Sequence, residues 1–308
     1  MMLTSNRHYT PQLGFTLVEL MISIVLGLLI SAAVIQIYLT NVRTTTTQKS
    51  GSELQDASIF GLQQLEAHIR LANLGNSVNK ITDTTENGGI VLSLKNLGVT
   101  DTIILPFLTH TAGDKGFTST SNINNINSDQ LTIQFTNTTG QTMSDCESVD
   151  IPPNTKVIER YFVRQVTGDT STGAVKNLAL VCDAGRIDGA TITDLSANYK
   201  TGGNELITGV DQFKVLLGVQ DATNRIMYLP SSTYISLTTS PHPSIVAVRV
   251  GLIVRGSTPI VGSSDKTSFT LLGQTHELKT DTTRKQLVRT TYESTTLLRN
   301  ARVISVTP

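Results

Sequence analysis

Phe15-Thr16-Leu17-Val18-Glu19-Leu20-Met21-Ile22-Ser23-Ile24-Val25-Leu26-Gly27-Leu28-Leu29-Ile30-Ser31-Ala32-Ala33-Val34-Ile35-Gln36-Ile37-Tyr38-Leu39 is an apolar run of 25 residues with one charge, Glu19. Wound as a helix at 1.5 Å per residue it would be about 37 Å long, enough to cross a bilayer core. Before it, residues 1–14 are polar, with Arg7 and His8 and no acid. A basic leader stays on the cytoplasmic side, which puts the C-terminal bulk of the chain outside. Tyr38 falls near the far interface, where aromatic rings are favoured.

Three readings of this segment compete. A cleavable secretory signal has an apolar region of about 7–15 residues, shorter than this one, although Ser31-Ala32-Ala33 imitates a cleavage site. A plain signal anchor fits the length. Neither accounts for Glu19, because a lone carboxylate in a membrane segment is costly until it finds a partner and is therefore functional by default. The third reading is a membrane span processed at Gly14 and used for assembly.

Gly14-Phe15-Thr16-Leu17-Val18-Glu19-Leu20 closely resembles the class III signal of type IV pilins and pseudopilins. The resemblance implies that a prepilin peptidase cuts after Gly14, removing residues 1–14, and N-methylates Phe15. It also implies that Glu19, fifth in the mature chain, pairs with the terminal amine of a neighbouring subunit during assembly. The physics agrees. A carboxylate four residues into a helix lies one turn from a positive amine and a positive helix end. An unpaired charge in lipid is penalised, so such pairing supplies registry as well as attraction.

The helix is expected to continue to residue 75. Leu54, Ser58, Leu62, Leu65, Ile69 and Ala72 form one stripe at three-four spacing, and Asn73-Leu74-Gly75 reads as a stop. Thr44 to Thr47, Gly27 and Gly51 weaken it locally, and no proline occurs between Phe15 and Leu74. From residue 76 to 308, short apolar runs alternate with turns such as Asn87-Gly88-Gly89 and Gly202-Gly203-Asn204. Strands are expected at Ile90–Leu94, Thr102–Leu108, Gln130–Thr136, Val157–Val166, Leu178–Cys182, Gln212–Gln220 and Val246–Arg255, with a surface loop over Gly256–Lys266. A long helix followed by strands gives an α+β fold, with the amphipathic half of the helix packed on an antiparallel sheet.

The chain has 308 residues and equal numbers of basic and acidic residues, 24 each. That balance points to no nucleic-acid or acidic partner for the whole chain. Residues 245–308 alone carry a net charge of +5, which reads as a charged face, with a DNA-binding patch as the sharper alternative. Cys146 and Cys182 are the only cysteines; in an exported chain they point to one disulfide worth roughly 4 kcal/mol, against a reading as two buried free thiols.

No GxSxG, HExxH, Walker loop or GxGxxG occurs, and no histidine pair has metal-ligand spacing, so neither a catalytic residue nor a metal or cofactor is expected. His68 reads as a polar residue on the amphipathic helix. Asp188-Gly189 reads as a turn. Asn122–Asp129 reads as a solvated loop, with calcium binding as its alternative.

A second resemblance lies toward the C-terminus. Gly209-Val210-Asp211-Gln212-Phe213-Lys214-Val215, Val246-Ala247-Val248-Arg249-Val250-Gly251-Leu252-Ile253-Val254-Arg255, and Arg289-Thr290-Thr291 with Leu298-Arg299-Asn300 look like segments of large minor pilins of the PilW family. That family is related to the minor pseudopilin J type of type II secretion. The resemblance implies a non-catalytic tip or initiation subunit, in the inner membrane before assembly and on the pilus afterwards. Its implied partners are other minor pilins, the major pilin, the prepilin peptidase, the inner-membrane assembly platform and a tip adhesin. A type II secretion pseudopilin and a DNA-uptake or adhesive tip pilin stand as alternatives.

Overall fold

The computed structural model describes residues 14–99, 107–114, 119–189, 191–195, 202–259, 266–280 and 287–301. Residues 1–13 of the expected leader, residues 102–106 of an expected strand, and residues 260–265 of the expected loop lie outside them. The chain divides into two compact units, residues 1–48 and 49–308.

Helix α1 spans Leu17–Ile69 without a break. The threonines and glycines that weaken it locally do not interrupt it. Thr40, Thr44 and Thr47 each turn the hydroxyl back onto the carbonyl one turn earlier, at 2.9, 3.0 and 2.9 Å, so their polar groups are satisfied inside the helix. None of its most apolar window is buried within the chain. That window is long and apolar enough to cross a membrane.

In the second unit the same helix becomes one-sided. Leu54, Leu65 and Ile69 are buried, Leu62 is half-buried, and Ile59 and Phe60 are exposed. The side chain of Ser58 lies outside the described residues. The helix stops earlier than expected. After Ile69 the carbonyls are taken up by tighter turns, with Leu71 N–H on His68 and Ala72 N–H on Ile69. Asn73, at φ 67°, enters the left-handed region before Gly75 does, at φ 77°.

Beyond it come α2 (Leu94–Leu97), β1 (Leu131–Thr136), β2 (Met143–Ser144), β3 (Asp150–Ile151), β4 (Lys156–Gln165), β5 (Leu178–Asp188), β6 (Thr191–Thr193) and β7 (Asn204–Thr208). Then follow β8 (Val210–Gln220), β9 (Ile226–Leu229), α3 (Ser231–Ile235), β10 (Ser244–Pro259), β11 (Ser268–Leu271), β12 (Gln274–Glu277) and β13 (Leu287–Leu297). Among the described residues, all strand pairings are antiparallel. One sheet runs β1-β4-β5-β6 with β7 also on β5; a second runs β13-β10-β8-β9; β2-β3 and β11-β12 are separate hairpins. The α+β class is as expected.

Ile90–Leu94 is not a strand: Ile90 makes a single bridge to Ile133, and Leu94 starts α2. The chain there is tied by side chains instead, with Asn96 Oδ1 accepting from the N–H groups of Leu92 and Ser93. Gly256–Pro259 is strand rather than loop. Glu53 on α1 draws it in, accepting from the Ser257 hydroxyl at 2.6 Å, and that bond is the main reason the Glu53 carboxyl lies below its ordinary value. Asp188-Gly189 ends β5 in a turn, with Gly189 at φ 57°.

The core joins the second half of α1 to both sheets: Leu54, Leu65 and Ile69 with Tyr161, Leu180, Phe213, Leu217, Val248 and Leu252. A fully buried leucine such as Leu65 contributes about 1.5–3 kcal/mol. The helix comes close because Gly61 has no side chain. A Cβ there would strike the Ile207 side chain and lie 2.8 Å from the Leu206 carbonyl. Gly61→Val should therefore cost about 1–3 kcal/mol by overpacking, despite valine's better helix propensity. Thermal unfolding of the full chain in detergent checks this; an unchanged melting temperature would mean that the helix can lift away at no cost.

Candidate functional site

Two places carry chemistry: the start of α1 in the first unit, and a set of buried ionic groups in the second.

Thr16 caps α1. Its hydroxyl accepts from the Glu19 N–H at 3.3 Å, and its N–H and hydroxyl both face Glu19 Oε2 at 3.4 Å. This is a reciprocal capping box, a feature not read from the sequence although Thr-x-x-Glu is its signature. Phe15 is exposed, one turn from Glu19. The arrangement directs the carboxylate toward the N-terminal end of the helix, on the side where cleavage after Gly14 would create an amine.

In the second unit, three stretches distant in sequence converge. Asp211 (β8) is wholly buried between Arg289 (β13), with Nε 2.8 Å from Oδ2, and Arg255 (β10), with Nε 3.3 Å from Oδ1. The Asn122 amide donates to Oδ1 at 2.6 Å. Arg255 also donates to the Lys176 carbonyl at 3.0 Å and to Asn177 Oδ1 at 2.8 Å. A buried pair is neutral or costly unless its remaining donors are matched, and here they reach carbonyls and amides. Each of the three segments that resemble PilW supplies one member. Their shared pattern is thus a structural lock rather than a surface.

Only the ends of the Asn122–Asp129 stretch belong to this lock; its middle, with Asn124, Asn125 and Asn127 exposed, is the solvated loop expected. Ser121, Asn122, Ser128 and Asp129 are buried. Backbone bonds from Asn122 N–H to Asp211 and from Asp129 N–H to Phe213 lay the stretch against β8, and Asp129 pairs with Lys214. Burial raises the Asp129 carboxyl, and the Lys214 charge only partly offsets it.

His68 is the second correction. It is not merely a polar residue on an amphipathic helix: Nδ1 lies 2.9 and 3.0 Å from the two oxygens of Glu159 (β4), which is fully buried. Glu159 also accepts from the Tyr161 hydroxyl at 2.8 Å and the Cys146 N–H at 3.0 Å. Gln64, one turn before His68, donates to the Cys146 carbonyl at 3.1 Å. Cys146 and Cys182 form the expected disulfide, with Cα atoms 6.1 Å apart. The end of α1 is thereby tied to the disulfide loop and to β4. Among the described residues, no group of three or more His, Cys, Asp or Glu could hold a metal ion.

Residues 160–300 match the family model described as type IV pilus-assembly protein W, and residues 10–35 match the prokaryotic N-terminal methylation motif. The chain thus carries a prokaryotic N-terminal methylation motif and, over residues 160–300, a region similar to type IV pilus-assembly protein W. The PilW match contains Asp211, Arg255 and Arg289, and the methylation-motif match contains Gly14, Phe15 and Glu19. A solved type IV-like pilin from Thermus thermophilus aligns over 81% of this chain and 99% of its own, at 13% identity and a TM-score of 0.38. No curated protein matches the chain. Family motif and apolar helix together fit membrane anchoring of a pilin.

Two outcomes are expected. Asp211→Asn leaves two buried guanidiniums facing each other and should cost about 3–5 kcal/mol, read as a fall of roughly 10 °C in melting temperature. A fall under about 2 °C would mean that the arginines find water. For His68, burial lowers its pKa, but the Glu159 hydrogen bond and charge, with Asp145, outweigh this and leave it raised. A raised folded value stabilises the fold below the unfolded value of about 6.5, and that stability is lost as pH rises through the folded value. Buried His276 is shifted down and acts in the opposite sense. The comparison is therefore with His68→Gln: the stability advantage of wild type over this variant should shrink from pH 5.5 to pH 8.5. A constant difference would rule out the titration.

Proposed function

We propose that this chain is a minor pilin that is cut by prepilin peptidase between Gly14 and Phe15, methylated on Phe15, and built into a type IV pilus at or near its tip, where it primes assembly. The observation that carries the reading is the joining, in one chain, of the methylation motif on an apolar helix to a PilW-family domain. On this reading residues 1–14 are the leader, 15–39 span the inner membrane, and the domain from residue 76 onward is periplasmic before assembly and exposed on the filament afterwards.

Glu19 then acts as the registry charge. Within its own helix it holds the Thr16 cap; cleavage creates a cationic Phe15 amine, and the amine of the adjoining subunit is the stronger partner for a carboxylate in lipid. Cys146–Cys182 staples the exported domain. The buried ionic groups keep that domain rigid, and the chain performs no catalysis. Its partners are other pilins through α1, the peptidase and the assembly platform, with a tip adhesin as a further one.

The test is the intact mass of the N-terminal peptide, from the full chain expressed with and without prepilin peptidase. The expected product begins at Phe15 and carries one extra methyl, only when the enzyme is present. Glu19→Ala should be processed normally yet be absent from sheared filaments. A chain still starting at Met1, or cut near Ala33, would overturn the reading. Loss of exoprotein secretion, with piliation intact in a deletion strain, would move the protein to a type II secretion filament.

A further inference from the structure

Asn87-Gly88, the only Asn-Gly step in the sequence, lies between α1 and α2, and the asparagine side chain meets the start of β4. Lys156 Nζ donates to Asn87 Oδ1 at 2.5 Å. A C=O bond of about 1.23 Å then puts the amine within about 3.7 Å of the carboxamide carbon. Reacting atoms held about 3–3.5 Å apart are poised for attack. Both partners are fixed. Lys156 opens β4 and is in register with Thr136 on β1 and Ile187 on β5. Asn87 stands at φ 56°, and Asn76 Nδ2 donates to the Glu86 and Asn87 carbonyls at 3.1 and 2.8 Å.

An asparagine before glycine usually reacts with the glycine nitrogen, which no side chain shields. Here that nitrogen is engaged elsewhere. Gly88 N–H donates to the Thr85 carbonyl at 3.0 Å, and the next amide, Gly89 N–H, donates to Asn73 Oδ1 at 3.0 Å. The nucleophile placed at the carboxamide is the lysine amine. Half-burial strips water from that amine and pushes it below its ordinary value, with the Glu86 charge opposing. A desolvated lysine is more readily neutral, and the neutral amine is the nucleophile. Both side chains line one cavity of about 220 Å³, and Asn87 is exposed, so departing ammonia has a way out.

We propose that Lys156 and Asn87 become joined by an isopeptide bond. The Nζ lone pair attacks Cγ and the Cγ–Nδ2 bond breaks. Nδ2 leaves as ammonia, carrying the proton that Nζ gives up. Nothing is oxidised or reduced, and no co-reactant is needed. The bond ties the 85–89 turn to β4 of the first sheet. Asn73 and Asn76, just past the end of α1, already fasten that turn through their side chains, so the exit of the helix is anchored covalently as well. The cross-link does not depend on the chain being a pilin.

Intact mass and a tryptic map test it, on the purified full chain in detergent, fresh and after incubation in mildly alkaline buffer. The wild type should weigh less by one ammonia. Its map should hold a branched peptide, residues 81–95 joined to a peptide left uncut at Lys156. Lys156→Arg keeps the positive charge but lacks the nucleophile. Asn87→Gly keeps the left-handed turn but lacks the carboxamide. Both variants should retain the full mass and melt below the wild type. A wild-type chain still of full mass after incubation overturns the proposal. So does a chain that trades the Asn87 amide for an acid with no branched peptide, which makes Gly88 or water the nucleophile. Ammonia loss that survives Lys156→Arg assigns it to a cyclic imide and overturns the cross-link too.

Discussion

Asp211 has no exposure to water and faces two guanidiniums, so every neighbouring element must be in place before its charge is tolerable. An unmatched buried carboxylate costs several kcal/mol, far more than one exposed ion pair returns. The requirement binds β8, β10 and β13 to one another and draws in the 121–129 stretch through Asn122. The same arginine that meets Asp211 also ends at Lys176 and Asn177, just before β5 of the first sheet. One carboxylate thus ties the two sheets, and its geometry explains why three separated segments share a family pattern without forming a surface site.

The helix is held by a different kind of constraint, close approach. Gly61 lets α1 come down on Ile207, and Glu53, Glu66 and His68 each find a partner on a strand: Ser257, Ser294 and Glu159. Apolar burial of Leu54, Leu65 and Ile69 supplies most of the stabilisation, and the polar ties set the register along the helix axis. Together they keep this part of the helix from sliding in its seat.

The strong periodic signals were legible in advance. The apolar run from Phe15, the stripe from Leu54 to Ile69, and the strands at β1, β4, β8 and β10 all repeat at the spacing their structure demands. β13 was not, because Leu287–Leu297 is rich in threonine and serine and only half-buried, so it shows no apolar alternation. β5 runs on to Asp188, past the expected end at Cys182, since its later residues are buried by tertiary neighbours and not marked by hydrophobicity. The buried roles of His68 and Asn122 were missed for one reason: a polar residue reads as solvated until its buried partner is known, and Glu159 and Asp211 lie 91 and 89 positions away.

What the sequence determined by itself was local. A charge at a set offset behind Gly14 and Phe15 in an apolar run, a Thr-x-x-Glu cap and a helical stripe are all properties of residues within a few turns of one another. The tertiary structure decided which polar residues are structural, where the helix sits, and which strand lies at the edge of its sheet. Those outcomes depend on contacts between residues distant along the chain and on the low dielectric of the interior, where a pairing that would be weak in water becomes obligatory.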